Sequence, residues 1–159
     1  MGSAVRKLTL PDSFAALKKS DLRTQYAALC YRTRKDAVQV LLVTSRDSGR
    51  WVIPKGWPMK GRSAAEAAEV EAWEEAGVTG KMKDHCLGVY SYLKGMDDTL
   101  LLPVVVAVYP LLVTDVADEF PEAGQRRRKW FDTKKASGRV VEPELRRILR
   151  KFDPKQLRR

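Results

Sequence analysis

The sequence predicts a single α/β domain, a mixed β-sheet with helices on its faces. Three features carry that expectation. Residues 25–33 and 37–44 read as two strands around a polar turn. Residues 63–77 carry unusually complete helix start and stop signals. Residues 100–113 form an almost unbroken apolar run that suits a central strand covered on both faces. The 159 residues are enough for one core, and neither a repeat nor a linker divides them.

Residues 1–22 read as a lead-in, 23–153 as the domain and 154–159 as a basic tail. In the first strand Ala27, Leu29 and Tyr31 alternate with Ala28, Cys30 and Arg32, and residues 37–44 are rich in Val and Leu. A short strand over 51–53 stops at Pro54, and two prolines and two glycines punctuate the loop over 54–62. Ser63 and Glu66 have capping-box spacing, Ala and Glu dominate the next turns, and Gly77 supplies a left-handed stop. Strands follow over 86–93 and 100–113, joined by a turn at 95–98, and a short strand over 128–131 precedes a helix capped by Asp132 or Thr133. In a last helix over 144–152, Leu145, Ile148, Leu149 and Phe152 form the apolar stripe.

The net charge of +10 is unevenly spread. Residues 125–159 hold 14 Lys and Arg against 4 Asp and Glu, so the first 124 residues are balanced. Such an end suits a polyanion. The apolar run over 100–113 is broken by Pro103 and Pro110 and is too short to cross a bilayer, so no membrane partner is expected. The N-terminal residues contain no apolar signal stretch, which makes the cytoplasm the expected location. Cys30 and Cys86 lack metal-ligand spacing and are expected to be buried free thiols.

The chemistry concentrates in the capped helix. Glu71, Glu74 and Glu75 stand at i, i+3 and i+4, which puts three carboxylates on one helical face. They repel one another and sit at the end of the helix where its dipole disfavours anions. A divalent cation with a preference for hard oxygen ligands relieves both problems, whereas the plain alternative is a solvated acidic face.

The stretch from Gly56 to Val78, GWPMKGRSAAEAAEVEAWEEAGV, resembles the Nudix box, a glycine loop followed by a helix ending in Glu-x-x-Glu-Glu-x-Gly. Residues 51–56 look like the segment that leads into that box. The chain departs from the box twice: Arg62 stands where a glutamate is usual, and Val70 where an arginine usually steadies the carboxylates. The resemblance implies a Nudix-like mixed sheet sandwiched between helices, and a hydrolase that cuts phosphoanhydride bonds with Mg²⁺, Mn²⁺ being the alternative. It implies Glu71, Glu75 and the Gly56 carbonyl as metal ligands and Glu74 as the proton acceptor.

Within the family, the chain is similar to the diphosphoinositol polyphosphate and diadenosine polyphosphate branch. The hairpin residues 27–32 and 40–45, the Ser45, Arg46 and Arg50 loop ahead of Trp51, and the run from Gly124 to Phe131 carry that similarity. A substrate with many phosphates needs many cations, and Arg grips phosphate with a bidentate fork. Arg23, Arg46, Arg50, Lys55, Lys60 and Arg128 are the candidate substrate ligands, and Trp57 is the candidate stacking residue. Trp73 is assigned to the core. The expected partner is a small polyphosphorylated molecule, with nucleic acid second, and the chain is expected as a monomer or homodimer. Two other readings stand beside this one: a nucleoside di- or triphosphate pyrophosphohydrolase, and a non-catalytic polyanion or nucleic-acid binding module.

Overall fold

The computed structural model describes residues 23–95 and 100–157. The expected lead-in, the turn at 95–98 and the last two tail residues therefore lie wholly or partly outside the described residues. Eight strands form one sheet: β1 (Arg23–Arg34), β2 (Ala37–Thr44), β3 (Trp51–Val52), β4 (Lys55–Gly56), β5 (Val78–Met82), β6 (Gly88–Gly95), β7 (Leu101–Val116) and β8 (Arg128–Asp132). Helix α1 is Ala64–Ala76, α2 is Thr133–Arg139 and α3 is Pro143–Lys151. A 3₁₀ turn, Pro154–Leu157, follows and buries Leu157.

The main path of the sheet runs β3-β2-β1-β7-β5, with β4 on β1, β6 on β7 and β8 on β2. Every pairing is antiparallel except that of β1 with β7, where Arg23 to Tyr31 run beside Val104 to Leu112. Strand periodicity sends successive side chains to opposite faces, and both faces are buried. Ala27, Leu29, Tyr31, Val40 and Leu42 pack under α2 and α3 with Leu145 and Leu149. Ala28, Cys30, Leu41 and Val43 pack under α1 with Ala68, Ala72 and Ala76. The mixed sheet between helical layers is the expected architecture, and β7 is the expected interior strand.

The helix signals resolve as drawn. The Ser63 hydroxyl accepts from the Glu66 N–H at 3.1 Å, the Ser63 N–H donates to Glu66 Oε1 at 2.8 Å, and Gly77 ends α1 at φ 68°. Strand β5 is additional to the expected elements. It starts one residue after the helix stop, and its sequence VTGKM shows no clear alternation. Cys86 corrects an expectation: it is an exposed thiol, whereas Cys30 is buried. Strand β6 begins at Gly88, so Cys86 falls in an irregular surface segment.

Candidate functional site

Helix α1, strand β4 and two loops enclose a cleft whose larger lobe has a volume of about 280 Å³. Glu71 and Glu75 enter it from α1, Lys55, Gly56 and Trp57 from β4 and its continuation, Arg46 from the loop after β2, and Glu122 and Arg126 from the loop after β7. A smaller lobe of about 170 Å³ shares Lys55 and Tyr92 with the first and adds Arg50, Tyr90 and Glu142.

The approach of β4 to α1 depends on a missing side chain. A Cβ placed on Gly56 would run into the Glu71 carboxyl, so any other residue here would displace that carboxyl from its present position. The loop after β7 is fastened to the end of α1. The Glu122 N–H donates to the Glu74 carbonyl at 3.0 Å and the Ala117 N–H to the Gly77 carbonyl at 2.8 Å. The Arg128 guanidinium donates to the carbonyls of Ala76, at 2.6 Å, and Ala117, at 2.7 Å. The last turn of α1 has no basic residue of its own, so Arg128 supplies positive charge where the helix dipole is negative.

Glu71 and Glu75 form a crowded carboxyl pair. Burial first, then the charge and hydrogen bond of Glu75, push the Glu71 carboxyl up to about 8. Burial also raises Glu75, against the opposing pull of Arg126 and Lys55. Both carboxyls are thereby held above the ordinary carboxylate range. Arg126 closes the other side of Glu75 at 3.7 Å, while donating to Glu122 at 2.9 Å and to the Thr44 carbonyl at 3.1 Å. Lys55 lies 5.2 Å from the Tyr92 ring centre, and burial lowers its ammonium despite the nearby Glu75 and Glu142.

A buried and a half-buried carboxyl crowded together, with the Gly56 main chain against one of them, are a hard-oxygen donor set that fits a divalent cation. Among the described residues no three His, Cys, Asp or Glu groups gather into a complete cage. The arrangement therefore suits a cation that keeps water and takes substrate oxygens, as Mg²⁺ does.

Of the candidate residues, Glu71, Glu75, Gly56, Lys55, Arg46 and Trp57 line the larger lobe, and Trp57 is 38 % exposed. Arg50 lines the smaller lobe. Glu74 is half-buried and lines neither lobe; the exposed Arg23 and Lys60 and the half-buried Arg128 line neither as well. Trp73 is half-buried against Phe120, ring centres 6.4 Å apart. Sequence reasoning missed Glu122, Gln25, Tyr92, Lys94 and Glu142, and gave Arg126 no individual role. Only Arg126 carried a signal, as the first residue of the basic run. The exposed cations of α2 and α3 occupy the layer across the sheet from α1.

The family model described as NUDIX domain matches residues 23–155. Diphosphoinositol polyphosphate phosphohydrolase 2 of Rattus norvegicus is 27% identical over 128 residues, covering 79% of this chain and 67% of that protein. Nudix hydrolase 12, mitochondrial, of Arabidopsis thaliana is 31% identical over 118 residues, covering 72% of this chain and 58% of its own length. Among solved structures, a C. elegans Ap4A hydrolase superposes with a TM-score of 0.59 at 21% identity, over 82% of this chain and 96% of that one, a likeness of fold.

Proposed function

Since this chain belongs to the Nudix family and is a Nudix-type hydrolase, we propose that it cleaves a phosphoanhydride bond in a diadenosine polyphosphate or a diphosphoinositol polyphosphate. One observation carries the reading: the Glu71–Glu75 pair faces a cleft whose other walls bear Arg46, Lys55 and Arg126. Carboxyls alone suit a cation and cations alone suit a phosphate, but both around one cavity suit a metal-bound polyphosphate.

In this reading Glu71, Glu75 and the Gly56 carbonyl hold Mg²⁺, or Mn²⁺ in its place. The cation supplies charge neutralisation on the phosphates and a more acidic attacking water. Glu74 is the proposed proton acceptor, because among the described residues its carboxyl makes no hydrogen bond or ion pair and it adjoins Glu71. Arg46, Lys55 and Arg126 hold the phosphate chain, and Trp57 offers an exposed ring at the entrance. Arg50 contributes from the neighbouring lobe. The Arg128 guanidinium, spent on two carbonyls, is assigned instead to holding the end of α1 in place.

The test is a panel of diadenosine polyphosphates, a diphosphoinositol, ADP-ribose and nucleoside triphosphates incubated with Mg²⁺, the products being separated by ion exchange. Turnover of either of the first two classes, abolished by a chelator, is expected. A folded protein that turns over none of them would overturn the proposal.

The carboxyl pair also makes stability depend on pH. Glu71 loses its proton near pH 8 in the folded chain, against an ordinary value of 4.5. Folding therefore takes up a proton between those values. The metal-free protein has its full Glu71 contribution below the lower value and loses it as the pH rises through the upper one. Mg²⁺ binds the deprotonated pair, so it is expected to raise the melting temperature by several degrees more at about pH 9 than at about pH 6. Thermal unfolding with Mg²⁺ and with chelator measures this, and equal shifts at both pH values would contradict it.

A further inference from the structure

We infer that Glu142 makes the smaller lobe of the cleft a subsite for a hydrogen-bond donor group of the substrate, the N–H or O–H edge of a nucleoside. The inference rests on the phosphoanhydride-hydrolase reading and narrows it, favouring a nucleoside-linked polyphosphate over a fully phosphorylated polyol. Glu142 is only 9% exposed, and its Oε1 has no hydrogen-bond partner. Its Oε2 faces Arg50 at 3.9 Å, beyond hydrogen-bond reach. Although Glu142 stands at the N-cap of α3, its side chain makes no capping bond, so the helix does not use it. A buried acceptor left without a donor is costly, and few survive in native structures without a reason.

The chemistry of the lobe selects the donor. Arg50, Lys55 and Lys94 also line this lobe and can meet a phosphate, but a phosphate offers the Glu142 carboxyl no hydrogen to accept. A nucleoside brings amino and hydroxyl donors together with a ring. The wall beside Glu142 is aromatic, formed by Tyr90 and Tyr92, and the Tyr92 hydroxyl is already committed to Gln25 Oε1 at 2.7 Å. Lys55 lines both lobes. The larger lobe thus holds Arg46, Arg126 and the carboxyl pair, Lys55 stands at the junction, and the smaller lobe adds, beside Arg50 and Lys94, a carboxyl that lacks a donor.

Calorimetric titration in Mg²⁺ tests this without requiring turnover. Wild type and Glu142→Gln are titrated with AMP, ribose 5-phosphate and inorganic tripolyphosphate. The variant is expected to bind AMP about tenfold more weakly, and tripolyphosphate within about twofold of wild type. An equal loss for ribose 5-phosphate would identify a sugar hydroxyl as the donor, and loss for AMP alone the base; both support the subsite. Equal weakening of AMP and tripolyphosphate, or no effect on AMP, would overturn it. If Glu142→Gln does not fold, Glu142→Ser removes the carboxyl and supplies a side chain that can cap the helix. Glu142-dependent AMP binding without hydrolysis of any substrate would defeat the hydrolase reading and leave the subsite standing. Hydrolysis of a diphosphoinositol by a protein that does not bind AMP would do the reverse.

Discussion

Glu75→Gln is expected to lower Mg²⁺-dependent turnover by about three orders of magnitude, within the range set by losing a reacting group or its metal. Glu75 is the more deeply buried carboxyl of the pair and the one that Arg126 approaches. The amide keeps the shape but removes the charge that would hold the cation. Structure should survive, because Arg126 keeps its shorter contact with Glu122 at 2.9 Å and its bond to the Thr44 carbonyl. Steady-state kinetics across a Mg²⁺ series, beside a thermal melt, separates the two effects. A variant that melts like wild type and retains a tenth of its rate would remove Glu75 from the metal site.

Arg126→Ala is expected to do the opposite, striking stability first. Its side chain is only 11% exposed and serves two carboxylates and a carbonyl. Removing it takes the nearest cation from the buried Glu75, leaving only Lys55, and from the part-buried Glu122, a loss of about 3–5 kcal/mol. At roughly 2–4 °C per kcal/mol for a domain of this size, the melting temperature falls by about 10 °C. Arg126→Lys restores the charge without the fork and should recover part of the loss. Urea unfolding with an unchanged slope is the check. A destabilisation below about 1 kcal/mol would mean that water, not Arg126, balances these carboxyls.

The contrast between those two residues shows what could be read in advance. Glu75 was legible because its meaning is local: a capped helix, three carboxylates at helical spacing and a glycine stop all lie within one short stretch. Arg126 was visible only as part of a basic run. Which member of that run turns toward the cleft depends on a loop clamped to the end of α1 by tertiary bonds. Its neighbours take other directions: the Arg127 guanidinium lies 5.2 Å from the Trp51 ring centre, and Arg128 reaches back to Ala76. Glu142 was hidden for the same reason, as an acidic residue ahead of an amphipathic helix that looks like an ordinary cap. Sheet membership was legible wherever alternation ran long, as in β1 and β2, and failed at β5, whose five residues are held by pairing with β7 rather than by any pattern of their own.

The parallel pairing of β1 with β7 has a consequence for how the molecule is made. Arg23 lies beside Val104, with α1, β4 and most of the sheet between them in sequence. That join is a long-range contact, closed only after a large entropic loss, and such contacts slow folding. The segments that wall the cleft are separated in the same way: β4 and α1 leave the ribosome well before the loop after β7 that completes it. During synthesis the carboxylates of α1 must therefore wait, unclamped, for the second half of the chain. A nascent chain halted before β7 would carry the acidic helix segment but no cleft.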